Sequence, residues 1–162
     1  MYKVFLNLGS NLGDRYENLK KAVFLISSLE DTFVERVSAV YETEPMYTNE
    51  TQNFYLNCCI KVGTKFDPKM FLGCCIGIET AMGRTRPYKN SARIIDIDII
   101  MCENFEINEE KISIPHKLWR ERLFVLLPLI EICENGVLLG NNLNEMLKSC
   151  QKIHIKKYKP LA

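Results

Sequence analysis

The sequence has no C-x-x-C pair, only two histidines and a single tryptophan, so a zinc cluster has little raw material. No apolar run approaches the roughly 20 residues that a membrane helix needs. Neither sign of charge is in excess: 21 Lys plus Arg against 20 Asp plus Glu leave +1 over 162 residues. Whole-molecule attraction to nucleic acid or to an anionic membrane is therefore not expected, although a local basic patch can still form. There is no Walker A pattern and no G-x-G-x-x-G, which excludes the nucleotide folds built on a glycine-rich cradle. The opening Met1-Tyr2-Lys3-Val4-Phe5-Leu6-Asn7-Leu8 alternates and lacks the basic start and apolar block of a signal peptide. With 47% apolar and 25% charged residues, the expectation is one cytoplasmic globular domain over 1–162.

Cysteine, by contrast, is plentiful. Seven are present, an odd number, and the vicinal pairs Cys58-Cys59 and Cys74-Cys75 lie inside apolar segments. Buried, reduced, small apolar side chains account for them better than a redox role does.

The chain punctuates itself. Residues 2–8 read as a strand, followed by the turn Gly9-Ser10-Asn11-Leu12-Gly13. Asp14 can cap the next helix, with Glu17 completing a capping box, and Tyr16, Leu19, Val23, Ile26 and Leu29 recur at helical spacing. Residues 33–41 alternate as a strand, 42–53 form a long polar loop around Pro45, and 54–62 form a third strand. Asp67-Pro68 starts a helix that Gly83 is placed to end. A second polar loop covers 84–92, and 94–101 is strongly β-prone. Further on, 118–133 is helical but interrupted by Pro128, 142–150 is a short helix, and 153–158 is a closing strand. The order strand, helix, strand, strand, helix, strand suits a ferredoxin-like α+β sandwich.

The sharpest local feature is Arg93-Ile94-Ile95-Asp96-Ile97-Asp98-Ile99-Ile100. On a strand, residues i and i+2 share a face, which sets Asp96 and Asp98 side by side about 7 Å apart. Two carboxylates in an apolar strand repel, and desolvation worsens the conflict; a hard cation such as Mg²⁺ would resolve it. A solvated edge strand is the alternative. Arg84, Arg86, Lys89 and Arg93 lie just upstream, the donor set that grips phosphate oxygens. Ordinary salt bridges to the carboxylates would use the same charges. Tyr55 and Asn57 share a strand face and could offer a plate and an amide to a flat heterocycle, or could simply pack. His116 lies among Lys117, Arg120 and Arg122, either at a phosphate or at an exposed helix start.

Together these segments resemble the 6-hydroxymethyl-7,8-dihydropterin pyrophosphokinase family of folate biosynthesis. The resemblance runs through Leu8-Gly9-Ser10-Asn11-Leu12-Gly13, Tyr41-Glu42-Thr43-Glu44-Pro45 and Asn53-Phe54-Tyr55-Leu56-Asn57. It continues through Ile78-Glu79, Gly83-Arg84-x-Arg86, Ala92-Arg93-x-Ile95-Asp96-Ile97-Asp98-Ile99, Pro115-His116 and Arg122-x-Phe124. It implies a ferredoxin-like βαββαβ sandwich in α/β/α layers with two long mobile loops. It further implies that pyrophosphate passes from ATP to the pterin hydroxymethyl group with release of AMP.

Carried over residue by residue, Asp96 and Asp98 would ligate two Mg²⁺ ions. Tyr55 and Phe124 would sandwich the pterin, while Asn57 and the backbone around Thr43 read its edge. Glu79, Ile99, Lys111, Ser113, His116 and Arg122 would line the ATP site, and Arg84 and Arg93 would hold the phosphates. The expected partners are these two small molecules, with no nucleic acid and no membrane, bound by a monomer. Lys89 and Asn90 stand where many members have arginine and tryptophan, Lys111 where an arginine is common, and Glu44 where a proline is. A ferredoxin-like sensor module and a single-strand RNA binder are the competing classes. Neither requires two strand carboxylates beside an arginine loop.

Overall fold

The computed structural model describes residues 1–161. Strand β1 (Tyr2–Ser10) is buried continuously from Val4 onward because both of its faces are covered. Val4, Leu6 and Leu8 point into a core closed by α1 (Arg15–Ser27) and α2 (Pro68–Ala81), while Phe5 points into a second core. The remaining main strands are β2 (Thr32–Val37), β3 (Ala39–Thr43), β4 (Tyr55–Thr64), β5 (Asp96–Cys102) and, near the end, β10 (Ile155–Pro160). All their pairings are antiparallel, in the order β10-β3-β4-β1-β5, with β2 pairing β4 alongside β3. This is the ferredoxin-like α+β arrangement expected. The helix α3 (Leu123–Ile132) on the opposite face supplies Val125, Leu126 and Leu129 to the second core, making the layers α/β/α.

The local chemistry of the termini explains where the helices begin. Asp14 accepts from the Glu17 N–H at 3.1 Å, but the Glu17 carboxylate turns to Lys20 instead of closing a capping box. Asp67 accepts from the Lys69 N–H at 3.0 Å with Pro68 in the first helical position, and Gly83 leaves the helix at φ +87°.

Several boundaries differ from the sequence expectation, including the closing strand, expected over 153–158 and found at Ile155–Pro160. The strand expected over 33–41 breaks at Ser38, which donates its N–H to Cys59 O and accepts the Cys59 N–H on its hydroxyl at 2.9 Å. The hydroxyl takes the place of a ladder carbonyl, and pairing slips by one residue between Val37–Ile60 and Tyr41–Asn57. The third strand covers Tyr55–Thr64 instead of 54–62, and the β-prone run 94–101 becomes a strand only from Asp96. Pro128 does not interrupt the helix; it lies inside α3, where one missing N–H costs a single backbone bond, and the real break falls at Arg122, after a 3₁₀ turn. Two small hairpins, β6 (Ile107–Asn108) with β7 (Ser113–Ile114) and β8 (Val137–Leu138) with β9 (Asn141–Asn142), are too short to leave a periodic pattern. They precede, respectively, the 3₁₀ turn and a final helix α4 (Leu143–Ser149) that Asn142 caps.

All seven cysteines are free thiols, and Cys58, Cys59, Cys75, Cys102 and Cys133 are buried; burial pushes Cys58 up to about 12, away from thiolate chemistry. No helix among the described residues is long and apolar enough to cross a membrane.

Candidate active site

The site occupies the part of the second sheet face that α3 leaves uncovered. Strand parity builds its floor. Along β5, Ile97 and Ile99 are buried in the helix-side core, so Asp96 and Asp98 face the other way, into a cavity of about 200 Å³. Gly9 pairs with Asp96 on one side and with Asn57 on the other, and a Cβ at Gly9 would come within 2.9 Å of Asn57 Oδ1. Glycine is therefore what keeps the floor open. Tyr55, opposite Thr43, and the buried pair Asn57 Nδ2 to Thr43 Oγ1, 2.8 Å, form one wall. Phe124 at the start of α3 and Arg122 and His116 just before it form the facing wall.

The two carboxylates are not equivalent. Asp96 has three arginines around it: Arg84 at 2.8 Å, Arg93 at 3.0 Å and Arg86 at 3.8 Å. Asp98 has, among the described residues, only Arg122 as an ion-pair partner, at 3.8 Å. Its depth and the charge of Asp96 outweigh that guanidinium and push the Asp98 carboxyl up to about 7. Its side chain nevertheless keeps 31% of its surface open to the cavity. A carboxylate pair offers only oxygen donors, which fits a hard divalent cation. Among the described residues no three His, Cys, Asp or Glu converge on such a point. A cation would thus take its other ligands from water and from substrate oxygens.

Arg84 is buried between Asp96 and the carboxylate of Glu79, which itself accepts the Ile97 N–H at 2.7 Å. Among the described residues its Nε and Nη2 have no partner, nor has Arg122 Nε, so buried donors there outnumber the acceptors. His116 accepts the Leu118 N–H on Nδ1 at 3.1 Å, which leaves the ring proton of the neutral form on Nε2, 3.5 Å from Arg122 Nη1. Burial and the Arg122 charge hold its pKa down at about 4. Two donors thus face each other with no acceptor between them, an arrangement suited to an anionic oxygen.

The aromatic wall is also cation-capped. The Arg93 guanidinium stands 5.9 Å from the Tyr55 ring centroid, and that of Arg122 stands 5.6 Å from both Phe124 and Tyr47. The two long loops are bonded to one another: Asn90 Nδ2 donates to Tyr47 O at 2.7 Å and Gln52 Nε2 to Asn90 O at 3.0 Å. Asn11 ties both down, accepting the Arg93 N–H at 2.8 Å and donating to Gln52 and Asn53.

Of the residues singled out from sequence, the cavity gathers Thr43, Tyr55, Asn57, Arg93, Asp96, Asp98, His116, Arg122 and Phe124. Lys111 and Ser113 line an adjoining cavity of about 410 Å³ that shares His116. Arg84 and Glu79 lie behind Asp96, and the Ile99 side chain belongs to the helix-side core. Sequence reasoning missed Asn7, Met46 and Tyr47 as lining residues. Asn7 was accessible to it, being two residues before Gly9 on the same strand face.

Fold and pocket together define a class: a ferredoxin-like domain whose acid-and-arginine cleft replaces a glycine-rich phosphate cradle. The chain belongs to the 7,8-dihydro-6-hydroxymethylpterin-pyrophosphokinase (HPPK) family, whose model matches residues 5–134. It is 36% identical over 147 residues to the 2-amino-4-hydroxy-6-hydroxymethyldihydropteridine pyrophosphokinase of Methylorubrum extorquens, covering 91% of this chain and 92% of the relative. The Bacillus subtilis enzyme of the same name is 38% identical over 131 residues, 80% of this chain and 77% of that one. A folic acid synthesis protein of Dictyostelium discoideum is 40% identical over 134 residues, but the match spans 83% of this chain and only 20% of the relative. The wild-type HPPK-DHPS of Plasmodium falciparum, solved with pterin and p-hydroxybenzoate, shares the fold at a TM-score of 0.67 and 18% identity, over 91% of this chain and 41% of that one.

Proposed function

We propose that this cavity and the one adjoining it at His116 hold 6-hydroxymethyl-7,8-dihydropterin and ATP side by side and transfer the pyrophosphoryl group from the nucleotide to the pterin. The reaction is that of a 2-amino-4-hydroxy-6-hydroxymethyldihydropteridine diphosphokinase of folate biosynthesis, with ATP as co-substrate. A bond forms between the hydroxymethyl oxygen and the β-phosphorus, the bond from that phosphorus to the α–β bridging oxygen breaks, AMP leaves, and the hydroxyl proton is lost. The observation that carries the reading is that Asp96, Asp98, Arg93 and Arg122 line the same cavity as Tyr55, Asn57 and Phe124.

Asp96 and Asp98 would hold two Mg²⁺ ions, which, when bound, would neutralise phosphate charge and polarise the attacking hydroxyl. Every other role falls to the chain. Tyr55 and Phe124 stack the pterin ring, while Asn57 and the Thr43 backbone select its hydrogen-bonding edge. Arg93 leaves Asp96 for the phosphates, while Arg84, locked behind Asp96, keeps that carboxylate aimed. His116 Nε2–H and Arg122 donate to phosphate oxygens, and Lys111, Ser113 and the strand backbone at Ile99 border the nucleotide. Little covalent chemistry is asked of the protein; positioning and charge stabilisation dominate. The cavity is complete within one chain, which suits a monomer, and the cytoplasm would supply its ATP.

Protein, ATP, MgCl₂ and the hydroxymethyl pterin should give AMP and pterin diphosphate in equal amounts, dependent on all three additions. ADP as the nucleotide product, or no AMP above a protein-free control, would end the reading.

A further inference from the structure

The strand β10 holds the rim of the pocket from outside the family-matched segment. Residues 5–134 carry the family match, whereas β10 starts at Ile155. His154, immediately before it, holds both ends of the first long loop. At the loop's start, the Glu44 backbone N–H donates to His154 O at 3.2 Å, and the Glu44 carboxylate accepts the His154 N–H at 2.8 Å. At the loop's end, the His154 ring packs against Phe54, with centroids 5.5 Å apart. The neighbouring pair is Ile155–Thr43, and Lys156 lies 3.4 Å from Glu42. Farther along, Lys157 bonds to Glu131 of α3 at 2.8 Å, and Tyr16 of α1 donates to Pro160 O at 2.8 Å. The strand is thus anchored at one end on two helices and at the other on the cavity rim.

We infer that β10 and His154 form a clasp that fixes the Thr43–Glu44 rim, and that Glu44 is a positioning residue for the heterocyclic substrate. The inference rests on the proposed function. Glu44 lines the cavity, yet its carboxylate is committed to the His154 N–H, so what it presents to a ligand is a backbone held in place. The same clasp sets the direction in which the loop leaves the sheet, and with it Met46 and Tyr47 over the cavity. The phosphate side is built on β5 and the segment before α3, which the clasp reaches only indirectly, through Tyr47 beside Arg122 and the Asn90 contacts of the first loop.

The test separates positioning from stability. Glu44→Ala should raise the pterin Kd and KM about five- to tenfold, the loss of one hydrogen bond and of the ordering it gives the rim. The ATP Kd measured without pterin should stay within about twofold. Glu44→Gln, which keeps an acceptor for the His154 N–H, should restore the pterin values. Lys157→Met, which removes an anchor of the same strand away from the rim, should lower Tm and leave the pterin KM unchanged. A Glu44→Ala pterin KM within about twofold of the wild type, a Glu44→Gln variant as impaired as the alanine, or an equal pterin defect in Lys157→Met would each overturn the clasp. A wild-type chain that binds no pterin would instead sink the functional reading itself.

Discussion

One strand, β5, serves two environments that differ in almost every physical respect. On the helix side, Ile97 and Ile99 are buried against α1 and α2, where stability comes from apolar area removed from water. On the cavity side, Asp96 and Asp98 stand in a field of arginines, with buried donors left unpaired and a carboxyl pushed up to about 7. The first face is apolar packing; the second leaves polar groups free to meet a ligand. Folding and function are therefore weighted differently residue by residue along a single strand, alternating with a period of two.

The largest effect that would break this contrast is on turnover. Asp96→Ala should reduce AMP release at least about a hundredfold, the loss of transition-state charge stabilisation at the proposed metal site. It should also lower Tm, because buried Arg84 loses a partner 2.8 Å away. Ile97→Ala should act on stability alone, costing about 2–5 kcal/mol in denaturant unfolding while the folded fraction keeps its kcat. An Ile97→Ala protein with normal stability and lost activity would erase the distinction between the faces.

Next in size is Arg93, which pairs with Asp96 at 3.0 Å in the free chain. If it also holds phosphates, Arg93→Ala should lower kcat by about tenfold or more, beyond any rise in the ATP KM, and Arg93→Lys should recover part of that. A lowered Tm with unchanged kcat would leave Arg93 as a strand-entrance salt bridge only. Smaller still, Tyr55→Ala and Phe124→Ala should each weaken pterin binding by about 1 kcal/mol and leave ATP affinity nearly unchanged. Calorimetry giving equal losses for both ligands would reassign these rings to packing.

The pH dependence sharpens the contrast further. The unfolded chain releases the Asp98 proton near the ordinary aspartate value of about 3.9, whereas the folded chain keeps it up to about 7. Between those values the native state binds more protons, so this group makes stability fall as pH rises through that window. Asp98→Asn should flatten this fall and be the more stable protein at pH 8 without Mg²⁺. Adding Mg²⁺ should close the gap by stabilising the wild type alone. Parallel melting curves across the window would place Asp98 in solvent.

The periodic parts of the molecule were legible in the sequence, and the irregular parts were not. The alternation Ile95-Asp96-Ile97-Asp98-Ile99 gave both the strand and its two faces, and Asp67-Pro68 with Gly83 bounded α2 nearly to the residue. Ser38 left no such trace, because a hydroxyl standing in for a ladder carbonyl is a tertiary arrangement. The non-equivalence of Asp96 and Asp98 was likewise hidden: it depends on which arginines fold back, and Arg84 and Arg122 are far apart along the chain. The contact between Asn90 and Tyr47, and that between His154 and Glu44, 110 residues away, carry no periodic signal at all. Charge clusters announce a site; only the fold assigns each charge its partner.

AMP release by Asp98→Ala, measured at saturating Mg²⁺, ATP and pterin beside a melting curve of the same preparation, tests the division of β5 most directly. The division predicts turnover lost by at least about a hundredfold with Tm held or slightly raised, since removing a buried carboxylate relieves its repulsion with Asp96. Full turnover in that variant, or loss of activity only in step with loss of the folded state, would contradict it.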